Sequence, residues 1–188
     1  MGRHILAAFI LALACLVPAG ATSYAPVSFG ELVARADVIF VGEVVDVRPL
    51  PFTTRDGTII KTRVVFRVSD PIWGTSAALE VFDFFGGEWG GVGMAIAEMP
   101  TFAVGDRRVV FARRERSINP IVGFRQGLLQ VRRDAAGADR VLTLDGRPID
   151  APESIGAQRA GRTGVPAAPM RLADFRARIG RALAGRRR

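Results

Sequence analysis

Most side-chain chemistry in proteins runs through histidine, cysteine or paired carboxylates, and this chain is short of the first two. Its one histidine, His4, and its one cysteine, Cys15, both fall within the first 21 residues. If that stretch is a removable export signal, the remaining chain has no Ser-His-Asp triad, no Cys-His dyad, no histidine or thiolate zinc site and no disulfide framework. What remains is carboxylates, hydroxyls and one lysine. Asp83, Glu88 and Glu98 lie around a glycine-dense segment, where two of them could form a glycosidase pair or contribute to a calcium site. No D-x-D-x-D-G pattern accompanies them, and solvated surface carboxylates are the plainer reading. Ser69 or Ser117 with Lys61 would be needed for a Ser-Lys dyad, but Lys61 falls on the outward-facing side of its strand. An enzyme is therefore not expected, and no cofactor or metal is implied.

The glycine-dense segment, Gly86 to Gly93, encloses Glu88 and Trp89. It lacks the G-K-[ST] ending of a phosphate-binding P-loop and the strand-to-helix setting of a dinucleotide site. A flexible connection between strands is one reading. The other is a recognition loop formed by Gly86, Gly87, Glu88, Trp89, Gly90 and Gly91, with the indole offered to a partner and the glycines permitting close approach.

The export signal has three parts. Arg3 and His4 form a polar start, Ile5 to Val17 is an apolar run of 13 residues, and Pro18 precedes the small-residue pattern Ala19-Gly20-Ala21. Cleavage after Ala21 would leave Thr22 first. The run is shorter than the roughly 20 residues that span a bilayer. Lipidation of Cys15 is the rival reading, although the leucine expected three positions upstream is missing.

Charge is distributed unevenly. Residues 22–150 carry 16 basic and 16 acidic side chains, whereas residues 151–188 carry nine arginines against Glu153 and Asp174. The basicity thus belongs to the tail. An exported protein or an anionic envelope surface is the kind of partner this suggests. No aromatic-interleaved basic stripe points to nucleic acid, and no second apolar stretch reaches transmembrane length.

Several elements must position these residues. Ser28-Phe29-Gly30-Glu31 has capping-box spacing and predicts a helix over 29–36. Val38–Val47 reads as a strand bent at Gly42 and ended by Pro49 and Pro51. Asp56-Gly57 turns into an alternating strand with Ile60, Thr62, Val64, Phe66 and Val68 on one face, stopped at Asp70-Pro71. Further strands are expected at 79–85, 107–112, 124–132 and 141–144, with a short one within 94–102. Residues 151–169 read as a flexible linker. Leu172, Phe175, Ile179 and Leu183 then mark an amphipathic basic helix over 170–184, with Arg171, Arg176, Arg178 and Arg181 on its other faces. Its apolar stripe would either pack on the β-domain or bind an anionic membrane face or acidic partner. The fold class is mainly β: a small OB-like antiparallel β-barrel over 22–150 with a short N-terminal helix and a C-terminal basic helix, a β-sandwich being the alternative.

The order of these pieces carries a resemblance. Ala36-Asp37-Val38-Ile39-Phe40-Val41-Gly42-Glu43-Val44, the alternating strand Thr62–Val68, Trp73-Gly74, Phe102-Ala103-Val104-Gly105-Asp106 and Val109-Val110-Phe111 together resemble a group of exported bacterial proteins of unknown role. More distantly they are similar to the netrin-like domain of tissue inhibitors of metalloproteinases, which implies an OB-type barrel over about residues 28–132. Those inhibitors act through an N-terminal cysteine that binds the protease zinc. The mature chain has none, so no functional residue is transferred. The expected function is a non-enzymatic exported binding module acting through the Gly86–Gly91 loop. The alternatives are a regulator of an exported protease and an envelope-surface protein held by its basic helix. N-terminal sequencing of the exported protein is expected to begin at Thr22; a lipidated Cys15 would refute that cleavage site.

Overall fold

The computed structural model describes residues 25–115, 117–156 and 168–186. The expected export signal and residues 157–167 of the expected linker lie outside the described residues. Helix α1 (Phe29–Arg35) begins with the expected capping box: the Ser28 hydroxyl accepts from the Glu31 backbone N–H, and the Glu31 carboxylate accepts from the Ser28 backbone N–H.

Eight strands follow: β1 (Val38–Thr54), β2 (Gly57–Trp73), β3 (Leu79–Phe85), β4 (Gly87–Trp89), β5 (Val92–Met94), β6 (Arg107–Ala112), β7 (Leu128–Arg133) and β8 (Asp139–Leu142). Helix α2 (Leu172–Arg186) ends the described chain. Six strands form one antiparallel sheet in the order β3-β2-β1-β6-β7-β8, and β4 pairs with β5 in a separate hairpin. The mainly β expectation holds, with a helix at each end.

The sheet is not closed into a barrel. Its two edge strands are β3 and β8, and they are not neighbours. What blocks closure at β8 is the chain's own return: Arg171 and Pro148 bridge to Arg140 and Leu142, and the Val141 N–H donates to the Met170 carbonyl. Strand β1 is nevertheless irregular. The β1–β2 register slips three times, between Ile39 and Phe40, between Val41 and Gly42, and between Val44 and Asp46. Gly42 lies at one of these bulges, as its sequence context suggested. A Cβ there would lie 2.9 Å from the Phe40 ring and 3.0 Å from the Arg67 carbonyl oxygen.

Strands β1 and β2 are longer than expected. Pro49 and Pro51 do not end β1, which runs on to Thr54. Strand β6 accompanies β1 only as far as Glu43, so past that point β1 has one neighbour in the sheet and a missing N–H on its free side costs no ladder bond. Pro71 likewise does not stop β2. In contrast, β3 and β6 occupy the expected residues. Residues 124–127, expected at the start of β7, instead form turns, with Gln126 donating from its backbone N–H to Gly123 O and Leu128 to Arg125 O.

Both faces of the sheet are covered. On one, Ile39, Val41, Val109, Phe111, Leu129 and Val141 pack against Leu32 and Val33 of α1 and Phe175, Ile179 and Leu183 of α2. On the other, Val38, Phe40, Val64, Phe66, Phe84 and Val110 pack with Met99 and Phe102 of the segment joining β5 to β6. Phe102 stands edge-on to Phe66 and 4.7 Å from Phe84, centroid to centroid. The start of the expected linker is packed too, with Pro152 and Ile155 buried.

The basic helix is therefore docked. Phe175 lies against Phe29 and Phe111. Arg176 holds Asp70 through two hydrogen bonds of 2.6 and 3.2 Å. Arg186 donates to the carbonyls of Val33 and Ala36 at the end of α1, satisfying acceptors that a helix terminus leaves open, and lies over the Trp73 ring. Replacing Phe175 with alanine is expected to destabilise the protein by about 3–5 kcal/mol, the usual cost of emptying a buried phenylalanine site. Urea unfolding of the two proteins measures it; a difference below about 1 kcal/mol would mean the helix does not hold this position in solution.

Candidate functional site

The glycine-dense segment is neither irregular nor a simple connector. Gly86 donates its backbone N–H to the Ile60 carbonyl at 2.8 Å, and the Thr62 hydroxyl donates to the Gly86 carbonyl at 2.8 Å, so the chain leaves β3 tied to β2. Strands β4 and β5 then pair Gly87 with Met94, Glu88 with Gly93 and Trp89 with Val92. Gly90 and Gly91 close the hairpin with φ of 58° and 80°, both in the left-handed region. A two-residue turn with two positive φ values matches the twist of paired strands and is nearly closed to residues with a Cβ. The glycines thus build a defined projection.

That projection ends in an apolar pair. Trp89 is 52% exposed and its cross-strand neighbour Val92 57% exposed. Glu88 beside them is exposed as well. Of the residues expected to form a recognition loop, Gly87, Glu88 and Trp89 make up β4, Gly86 precedes it and Gly90 and Gly91 form its turn.

The other candidates disperse. Asp83 is held by Arg63 across the β2–β3 pair in a two-pronged ion pair of 2.7 and 2.9 Å. The hydrogen bond from Arg63 keeps the Asp83 carboxyl below its ordinary range. Glu98 contacts Arg125 at 3.5 Å. The same Arg125 also holds Asp145 at 3.1 Å, so Asp83 and Glu98 are tied to different arginines. The Ser69 hydroxyl donates to the Val41 carbonyl and the Ser117 hydroxyl to the Asn119 carbonyl. Lys61 lies on the outward face, its ammonium 4.6 Å from the Phe85 ring centroid and 5.3 Å from that of Phe52, a cation–π arrangement that shields two rings on the sheet surface. Among the described residues, no three of His, Cys, Asp and Glu are grouped so as to hold a metal ion.

The basic helix face divides by role. Arg171, Arg176, Arg178 and Arg181 are all exposed, and among them Arg176 binds Asp70 of β2. Because Phe175, Ile179 and Leu183 are buried in the core, the helix has no apolar stripe left to insert into a membrane.

Sequence reading missed a charged cluster at the end of the β6–β7–β8 region. Arg107 grips Asp139 with hydrogen bonds of 2.9 and 2.8 Å, and Arg133 adds a third at 3.2 Å. Arg133 and Asp139 face each other across the short β7–β8 turn, but Arg107 is 32 residues from Asp139, and no local motif reveals that contact. Hydrogen bonding by Arg107, supported by Arg133, lowers the Asp139 carboxyl from 3.8 to about 2 against the opposing effect of partial burial. A carboxyl depressed in the folded state stabilises that state above its unfolded value and loses the contribution as pH falls through the folded value. Folding stability is therefore expected to drop between about pH 4 and about pH 2, and Asp139→Asn to flatten that part of the curve. Urea midpoints measured across this range test it; an identical slope in the variant would remove Asp139 as the cause.

In comparisons with known proteins, the chain matches no family model, no curated protein and no solved structure.

Proposed function

We propose that this protein is a non-enzymatic exported binding module whose recognition element is the β4–β5 hairpin and whose partner is another exported or envelope protein. One observation carries the reading: Trp89 and Val92 stand paired and more than half exposed at the tip of a hairpin preorganised by Gly90 and Gly91. A large aromatic side chain on a rigid support loses little conformational freedom on binding and buries much area, which is why tryptophan recurs at binding hot spots. Glu88 next to the tip adds a negative charge, which disfavours an anionic lipid surface and favours a protein with an apolar pocket and a basic rim.

The resemblance to netrin-like domains adds a narrower version, in which the partner is an exported protease. That version is an analogy of fold order, and its cysteine-based mechanism does not transfer. The envelope-surface reading is weakened by the burial of the apolar stripe of α2.

Crosslinking pull-downs from exported and envelope fractions test the proposal, with the wild-type protein and Trp89→Ala as baits. The wild type is expected to retain a discrete partner that Trp89→Ala loses, while the unfolding free energies of the two baits agree to within about 0.5 kcal/mol, as is usual for an exposed position. Equal capture of that partner by both baits would overturn the assignment to the hairpin.

A further inference from the structure

The six-stranded sheet has two edges, and the chain covers only one of them. At β8 the returning segment takes up the edge through Arg171 and Pro148. At β3 no strand lies beyond Leu79–Phe85 among the described residues. The backbone bonds show which residues of β3 face outward. Ala78 accepts from the Val68 N–H and Gly86 donates to the Ile60 carbonyl, so even-numbered residues turn their backbone groups toward β2. Odd-numbered residues turn theirs to the open side, where the Phe85 N–H already donates to the Ile118 carbonyl. Leu79, Val81 and Asp83 are left with outward N–H and C=O groups that no described residue takes up.

This edge lacks the features that usually keep an edge strand single. It is seven residues long, contains neither proline nor lysine, and pairs with β2 without a bulge. Leu79 and Val81 are 52% and 49% exposed, and Val81 lies beside Val65 of β2. The one buried charge of the strand, Glu80, is already answered by Arg114 at 2.9 Å and so does not repel a neighbour.

We propose that β3 pairs antiparallel with β3 of a second copy of this chain, about a two-fold axis at Val81. The free stretch is symmetric about that residue. Reversing the chain sets Val81 against Val81 and Leu79 against Asp83. Every outward backbone group then meets an outward group of the other copy, the condition for a hydrogen-bonded antiparallel pair and for a self-complementary interface. Pairing ends where Phe85 is already occupied by Ile118. The charges fit the same register. Across the joined sheet one row reads Arg67 and Leu79, then Asp83 and Arg63 of the second copy, with no like charges adjacent. Arg67 is exposed and no ion pair holds it among the described residues, so this row brings a carboxylate to its face of the sheet. The row on the axis holds Val65 and Val81 of both copies and is apolar throughout. An unrelated extended peptide has no reason to share this symmetry. One strand pair buries little area, which places the dimer among weak, concentration-dependent associations. The pairing is independent of the β4–β5 hairpin, which forms its own sheet.

Sedimentation equilibrium of the purified protein, from micromolar to millimolar concentration, is expected to show a monomer–dimer equilibrium. Val81→Lys places two ammonium groups on the axis and should weaken association about tenfold or more. Leu79→Lys places its ammonium opposite Asp83 of the second copy and should leave association within about threefold of the wild type. Both positions are exposed, and the urea midpoints of the variants should match that of the wild type. Amide hydrogen exchange of the unmodified protein gives a second readout: the Val81 and Asp83 N–H groups should become protected as concentration rises. A wild type that is monomeric at every concentration would overturn the proposal; if its Val81 amide were nonetheless protected, a segment of the same chain covers the edge. No weakening by Val81→Lys, or equal weakening by both variants, would also overturn it, the latter marking an apolar contact without this register.

Discussion

Two adjacent strands, β1 and β6, have no solvent face where they pair. Ile39, Val41, Val109 and Phe111 point into the layer beneath the helices, while Val38, Phe40, Val110 and Ala112 point into the opposite one. Antiparallel sheets commonly leave one face wet; here the central pair is dry on both. Each layer therefore needs a cover. Helices α1 and α2 provide one, and the β5–β6 segment with Met99 and Phe102 provides the other. Much of the remaining architecture follows from satisfying those two faces.

This demand explains why a helix with the composition of a surface-binding tail is instead structural. A basic amphipathic helix can cover protein or lie on lipid, and composition does not distinguish the two. Phe175, Ile179 and Leu183 are drawn to a face already lined with Ile39, Phe111 and Val141, and the arginines adapt: Arg176 meets Asp70 on β2, and Arg186 closes the open carbonyls of α1. The linkage is mutual, since removing α2 would bare the side of the sheet on which α1 also rests.

The peripheral features are those the core leaves unconstrained. The hairpin extends from the end of β3, and Trp89 and Val92 at its tip belong to neither buried layer. Paired strands deliver the hairpin, and it keeps exposed apolar area at Trp89 and Val92. Function in small β domains often sits at such strand ends, where backbone geometry is set by the sheet and side chains are free of it.

Local pattern alone determined the capping box at Ser28–Glu31, the alternation in β2, the bend at Gly42, the extents of β3 and β6 and the helical period of the tail, because each depends on neighbours within a few residues. It also marked Gly86–Gly91 as unusual, since only glycine runs admit such backbone. Tertiary structure alone decided the rest. It carried β1 past Pro49 and Pro51, because a proline matters only where a second strand would need its N–H. It left the sheet open, because residues 148–149 and 170–171 took up the β8 edge. It docked the helix and brought Arg107 to Asp139, because side chains 32 residues apart become neighbours only when the register of the strands places them so.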